Sequence, residues 1–205
     1  MNENRSMRNY LFVALLLGAG FSAQAQERFM SKLYFPGLVG LDIHLYDGHL
    51  NYKNGIVINT GVEFRPGTTP VFFRFNYDAL SSRYKSSLPA ALPTNVSNGT
   101  LHLTYFLAGA GFRRRSKLVG WYLLGQAGLE QRTYDKVSVT TQGFTINQVS
   151  KKVPGAKLTG GFEYYVAEHF ALVLEPAFYP GSYYASQGSS NKNLSVSIGF
   201  TTTLF

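Results

Sequence analysis

The sequence predicts an all-β fold: an eight-stranded antiparallel up-and-down transmembrane β-barrel, preceded by a cleaved signal peptide. Three observations carry this. The amino terminus has the composition of an export signal, and eight later segments alternate apolar and polar residues with connections that are short and long in turn. The last of them, Leu194 to Phe205, runs to an aromatic end with no polar cap. An exposed apolar edge strand invites pairing with other chains, whereas a closed barrel in a membrane has no edge.

Arg5 and Arg8 supply the positive start of the signal, Tyr10 to Phe21 its apolar run, and Ala23-Gln24-Ala25 the small-residue cleavage site. The run is too short for a spanning helix, which needs about 20 residues. Domains are expected at 1–25, the signal peptide, and 26–205, the barrel. There is no cysteine, so neither a disulfide framework nor a thiolate metal site is available. With 16 Phe and 14 Tyr but one Trp, the chain is rich in aromatics, yet its mean hydropathy is near neutral. Spanning strands explain the combination, since only every second residue meets lipid.

The first strand, about Tyr34 to Tyr46, turns Phe35, Val39, Leu41, Ile43 and Leu45 to one face. The second, about Gly55 to Arg65, does so with Ile56, Ile58, Val62 and Phe64, and the third with Val71, Phe73, Phe75 and Tyr77. The fourth, about Thr100 to Phe112, is read with Leu101, Leu103, Tyr105 and Leu107 toward lipid. The fifth, about Leu118 to Tyr134, offers Trp121, Leu123, Ala127 and Leu129. Ala156, Leu158, Phe162 and Tyr164 mark the sixth, about Gly155 to Val166. Phe170, Leu172, Leu174 and Phe178 mark the seventh, about Phe170 to Tyr179, and Leu194, Val196, Ile198 and Phe200 the eighth. Each approaches the roughly 9–11 residues a tilted spanning strand requires.

Pro66–Pro70, Arg113–Lys117 and Ala167–His169 read as tight turns. Asp47–Asn54, Ser81–Gly99, Asp135–Pro154 and Tyr183–Lys192 read as long polar loops. Short periplasmic turns with long extracellular loops are the outer-membrane arrangement, and an even strand count returns both termini to the periplasm. Tyr34, Phe64, Phe72, Phe112, Tyr164 and Tyr165 fall near the turn side, as an interfacial aromatic belt would. The rival fold is a soluble lipocalin-like barrel, also eight-stranded, in which the apolar face lies inside.

Sorted by strand phase, Asp42, Glu63, Asp78, Glu130, Glu163 and Glu175 face inward with Arg65, Arg74, Arg132, Lys157, His44 and His102. Tyr122, Tyr165 and Tyr179 share that phase. A barrel of this size is filled by its own side chains, so these charges should be paired in a luminal polar network. Glu63 and Arg74 are a candidate diagonal pair, and Lys157 is expected near the level of Glu130 and Arg132. A structural plug is favoured over a transport path. The long loops carry an extracellular basic rim of Lys53, Arg83, Lys85, Lys136, Lys151, Lys152 and Lys192.

The chain resembles the small outer-membrane β-barrel proteins of the porin-like superfamily. The resemblance is best carried by Gly160-Gly161-Phe162-Glu163-Tyr164-Tyr165-Val166-Ala167-Glu168-His169-Phe170-Ala171-Leu172-Val173-Leu174-Glu175-Pro176-Ala177-Phe178-Tyr179, a strand, a tight turn and a strand bearing one inward Glu. It implies that Phe205 is an assembly signal read by the barrel assembly machinery, although Thr201 and Thr203 hold positions that are usually apolar. It also implies a cell outer membrane location. The basic rim would then face the phosphates of lipopolysaccharide, or act simply as solvated loops.

Catalysis has little support. Lipid A deacylases carry a His with Ser two residues on, but here His102-Leu103-Thr104 has Thr instead, and Ser82-Arg83-Tyr84-Lys85 lacks companion motifs. No catalytic residues, cofactor or metal are expected, and nucleic acid is excluded by compartment. The reading is therefore a non-enzymatic, monomeric envelope component that presents extracellular loops to a surface ligand or partner. The alternatives are a component of a secretion or surface-assembly system and, less well supported, a lipid-modifying enzyme.

Overall fold

The structure, a computed structural model, describes residues 33–45, 50–66, 69–86, 98–140, 143–180, 183–184, 189–190 and 192–203. The signal segment and Phe205 lie outside the described residues. In chain order the strands are β1 (Leu33–Leu45), β2 (Leu50–Tyr52), β3 (Gly55–Phe64), β4 (Val71–Ser86), β5 (Asn98–Arg115) and β6 (Val119–Thr140). They continue with β7 (Gly143–Ala167), β8 (Phe170–Tyr179), β9 (Tyr183–Tyr184), β10 (Ser189–Ser190) and β11 (Lys192–Thr203).

Eight of these are the staves of a closed antiparallel barrel, in the order β1, β3, β4, β5, β6, β7, β8, β11. Closure comes from β1 and β11, which pair along their length from Tyr34 opposite Thr203 to Leu45 opposite Lys192. Every stave therefore has two neighbours, and its backbone groups are satisfied without water, which the interior of a bilayer demands. The short β2 continues the β3 stave against the top of β4, and β9 pairs only with β10.

Three connections are tight, as the sequence predicts. In the first, Pro66 accepts from the backbone and hydroxyl of Thr69, at 3.4 and 2.9 Å. The second closes with the N–H of Ser116 donating to Val119 at 2.7 Å. At the third, the N–H of Thr203 donates to the carbonyl of His169 at 3.1 Å, which ties the last stave to the turn.

On seven staves the expected apolar face is the outer wall. Leu41, Ile58, Phe75, Leu123, Leu158, Leu174 and Ile198 are all exposed there. Buried charge inside and apolar surface outside is the reverse of a soluble barrel, and it disposes of the lipocalin-like alternative.

β5 is the exception. Its Leu101, Leu103, Tyr105 and Leu107 are buried in the lumen, while His102, Phe106, Ala108 and Phe112 face out. Both faces of this strand are apolar, so alternation alone could not choose between them. The register decides: Tyr105 lies opposite inward Asp78, and Phe106 opposite outward Tyr77. His102 is therefore not a luminal residue. Several belt aromatics also turn inward, since Tyr34, Phe72 and Tyr165 are buried.

The segment 135–154 is not an open loop. β6 and β7 stay paired from Glu130 opposite Val153 up to Thr140 opposite Gly143, and so form one long hairpin. β5 leaves β6 at Leu101 opposite Tyr134, and β8 joins β7 only from Phe178 opposite Leu158. Above those points, among the described residues, neither outer edge of the hairpin runs in a ladder with a further strand. Much of Ser81–Gly99 is likewise strand, with Lys85 opposite Asn98.

Candidate functional site: a luminal ionic network and a basic cleft

The lumen near the tight turns is organised around Glu63. It projects inward from β3 because its neighbours Val62 and Phe64 take the lipid face. Its carboxylate accepts from three guanidinium groups. Arg74 donates from Nε at 3.0 Å and from Nη2 at 2.8 Å, and Arg113 from Nη1 at 2.6 Å and Nη2 at 3.1 Å. Arg65, two residues along β3's own face, donates to it through Nε. Glu163 shares the load, 3.1 Å from Arg113 and 3.7 Å from Arg65, and accepts from the Tyr165 hydroxyl at 2.6 Å.

Aromatic faces enclose the cations. Arg65 lies 3.2 Å from the centroid of Tyr34, Arg115 3.7 Å from Tyr165, and Arg113 4.7 Å from both Phe72 and Tyr122. The rings screen the guanidinium faces while leaving the edges free to hydrogen-bond.

Glu175 forms the next level. It accepts from Arg74 Nη1 at 2.7 Å, Asn59 Nδ2 at 2.8 Å, Lys157 Nζ at 3.3 Å and the Tyr122 hydroxyl. Gly161 makes that last bond possible, because a Cβ there would fall 2.0 Å from the Tyr122 ring. Lys157 also pairs with Asp78 at 2.9 Å, and Tyr179 donates to Asp78 at 2.9 Å. Amides knit the gaps: Asn76 donates to Asn59 at 2.5 Å and to Asp78 at 3.1 Å, and Gln126 donates to Asn76 at 3.1 Å.

This core of Glu63, Glu163, Glu175 and Asp78 against Arg65, Arg74, Arg113 and Lys157 is balanced in charge. Arg113, which the sequence places in the turn Arg113–Lys117, is buried and inward, so within the network the six inward acids meet five inward Arg and Lys, and the remaining acid, Asp42, lies beside His44. Lys157 is also lower than expected, opposite Gln126 rather than beside Glu130 and Arg132, which pair with each other. Asp42 forms a separate small group, with His44 Nε2 at 3.0 Å and Asn193 Nδ2 at 3.4 Å. Of the predicted luminal residues, only His102 falls outside.

Toward the long connections the lumen is mixed: the Glu130–Arg132 pair stands opposite Tyr105 and Leu103, among side chains that are otherwise largely apolar. Val57, Leu80, Leu101, Leu103, Tyr105 and Leu107 pack there with Ala177 and Tyr179, and Tyr84 and Tyr134 lie against them. More charge lines a cleft outside, of about 570 Å³, formed by Lys53, Arg83, Tyr84, Lys85, Gly99, Thr100 and Asp135. The N–H of Lys53 donates to the Arg83 carbonyl at 2.8 Å, and the Tyr84 hydroxyl to the Asp135 carbonyl at 2.9 Å. The rest of the basic rim is scattered. Lys151 and Lys152 are exposed on the β7 arm of the hairpin and Lys192 begins β11, while the side chain of Lys136 lies outside the described residues. Among the described residues, no group of three or more His, Cys, Asp or Glu could hold a metal ion.

The model of the outer membrane protein beta-barrel domain family matches residues 11–201. The chain belongs to that family. Its apolar outer wall is what an outer-membrane location requires. No curated protein matches the chain. Among solved structures, Neisserial surface protein A is similar, with a TM-score of 0.52 at 15% identity over 86% of this chain and 98% of that one. Ail, the attachment invasion locus protein of Yersinia pestis, was solved with the heparin analogue sucrose octasulfate. It gives a TM-score of 0.47 at 16% identity, over 83% of this chain and 96% of that one. At these identities the likeness is one of fold.

Proposed function

We propose that this member of the family is a non-enzymatic envelope component that presents its long-connection end to a ligand or partner at the cell surface. The observation that carries this is the lumen, filled by an ionic network below and, above it, by leucines and tyrosines packed around the Glu130–Arg132 pair. An eight-stranded barrel packed in this way offers no aqueous path. Nor is the candidate pair His102 and Thr104 set up as a base and nucleophile. His102 and Thr104 share the outer face, but their cross-strand neighbours there are Ser81, Ala79, Thr133 and Gln131, with no carboxylate among them. What is left to interact is the outside: the basic cleft and the β6–β7 hairpin that extends beyond the other staves.

In this reading the tight turns and both termini are periplasmic, and the barrel assembly machinery and lipopolysaccharide are the generic partners. A role in a secretion or surface-assembly system is the second reading, favoured by the long hairpin, which runs on past the ends of its neighbouring staves. A projecting hairpin of this kind is a surface on which another protein can dock. Two measurements test the proposal. A cysteine placed at Lys151 should react with an impermeant reagent on intact cells and one at Lys117 should not, and the reverse result would invert the orientation. A pulldown from cross-linked membranes should recover lipid and assembly factors for a lone envelope component, and a stoichiometric protein set for an assembly component.

A further inference from the structure

The lower network balances without Arg115. Glu63, Glu163, Glu175 and Asp78 already meet Arg65, Arg74, Arg113 and Lys157. Arg115 is a further cation below these pairs, at the mouth of the lumen, where β5 ends beside its tight turn. The register fixes its place. It lies two residues beyond buried Arg113 on the same face of β5, opposite Gly120, and Gly120 in turn lies opposite Glu163. Its guanidinium rests 3.7 Å from the centroid of Tyr165, whose hydroxyl is spent on Glu163.

A ring face meets the flat of a guanidinium and takes none of its N–H groups. The Nε of Arg115 is buried and has no hydrogen bond among the described residues. The same holds for the Nε of Arg113, whose Nη groups are taken by Glu63 and Glu163. Buried donors without an acceptor are costly, the more so on a cation. Arg115 as a whole is only half-buried, so solution reaches it from the turn side. We propose that this turn-side mouth binds an oxyanion, a carboxylate or a phosphate, with Arg115 as its principal ligand and Arg113 behind it. The Nε and one Nη of a guanidinium are parallel donors that match two oxygens of one such group. Glu163, across the row, is already held by Arg113 and Tyr165. Gly120 keeps a side chain out of that row, where a Cβ would fall 3.1 Å from the Glu163 carboxylate and 3.2 Å from the Tyr165 ring. The site is at the opposite end of the barrel from the basic cleft, so it goes beyond the surface-binding reading and stands without it. Its oxyanion comes either from solution or from an acidic side chain of another protein.

The test is urea unfolding of the barrel in detergent micelles, where both ends of the lumen meet the solution, followed by the fluorescence of Trp121, the one tryptophan. Sodium chloride is replaced at constant ionic strength by sodium acetate, by sodium phosphate or, in part, by the peptide acetyl-Gly-Glu-Gly-amide. A ligand of the folded state at about ten times its Kd raises the ratio of folded to unfolded protein about tenfold, and the wild type should show a rise of that order in acetate or phosphate. R115Q should lose the rise. R115K, which keeps the charge but not the fork, should lose most of it, and it carries the comparison if R115Q does not fold. K117Q, which removes an exposed charge in the same turn, should keep the rise in full. A peptide that acts at far lower concentration than acetate assigns the site to a protein carboxylate, and one that acts no better than acetate assigns it to a free anion. A wild type that does not distinguish the oxyanions from chloride, or an equal rise in the Arg115 variants, overturns the site.

Discussion

At the tight-turn end of the lumen Glu63 gathers Arg65, Arg74 and Arg113 into one buried knot, whereas at the other end Leu101, Leu103 and Leu107 pack with Val57 and Leu80. Both ends are filled, but by forces that tolerate error differently. Ion pairs out of water repay their desolvation only when geometry and hydrogen bonding are nearly complete, so the lower end specifies one register among its strands. Apolar packing is less directional and accepts substitutions that keep volume. The upper end stands between the ionic network and the long connections, with leucines and tyrosines around the Glu130–Arg132 pair. A layer of this kind that kept water out would lower the local dielectric and strengthen each pair beneath it. β5 serves both ends with one face, from Leu101 down to Arg113.

The largest expected effect is at the hub. Replacing Glu63 with Ala leaves three buried guanidinium groups sharing Glu163 and Glu175, and should cost about 3–5 kcal/mol. Urea unfolding in lipid vesicles, followed by tryptophan fluorescence of Trp121, measures it. A loss below about 1 kcal/mol would mean that the ionic end fills space without stabilising the barrel.

The apolar end should respond less. Leu107 is fully buried, and its replacement with Ala should cost about 3 kcal/mol, from lost transfer energy and the cavity left behind. If the layer is also the water barrier, hydrogen exchange at Glu63 and Arg74 should quicken in this variant while the strands stay paired. Unchanged exchange there would show that the two ends are independent.

This contrast also marks what could be read from the chain. Asp42, Glu63, Arg74, Asp78, Lys157, Glu163 and Glu175 were legible as luminal because each sits between apolar neighbours, and a charge on such a strand has only one place to go. β5 was not legible in this way. Leucines on one face and Phe, Ala and Thr on the other give period two no polar side, so the phase, and with it His102, came out inverted. Arg113 was hidden by its company, since a run of three arginines beside a turn reads as solvated. Its spacing from Leu107 on the same face was the available signal. Asn59, Asn76 and Gln126 were missed because neutral amides carry no charge to sort, although they share the inward phase. The β6–β7 hairpin was masked by its Ser, Thr, Asn and Gln. The alternation of Val137 and Val139, and of Phe144 and Ile146, was the strand signal within it.

A smaller, sharper measurement concerns pairing within the ionic end. Glu63→Met and Arg74→Met should each be destabilising, but the double variant should fall short of their sum by about 1–3 kcal/mol. The sign follows from the contacts. Once Glu63 is gone, Arg74 is an under-partnered cation and its removal relieves that, while Glu175 keeps Lys157, Asn59 and Tyr122. Arg65 and Arg113 still share Glu163. Strict additivity would mean that Glu63 and Arg74 do not meet, and the knot would have to be redrawn around Arg113.

The smallest effect decides the phase of β5, on which the contrast between the two ends rests. His102 faces outward opposite Ser81 and Thr133, with neither an ion pair nor a buried partner among the described residues. In detergent, His102→Leu should therefore change the unfolding free energy by no more than about 0.5 kcal/mol, as exposed substitutions do. Leu103, its neighbour in sequence, is buried among leucines and tyrosines, and Leu103→Asn would exchange that apolar packing for a buried amide, at a cost of about 2 kcal/mol or more. The inverted phase makes the opposite forecast from the same two residues. His102 would then be a luminal network member whose loss strands a carboxylate, and Leu103 a lipid-facing residue whose change to Asn is mild near the interface. The two phases differ by a one-residue slip along β5, so a single pair of adjacent variants separates them. A costly His102→Leu beside a mild Leu103→Asn would return β5 to that phase and dissolve the apolar layer.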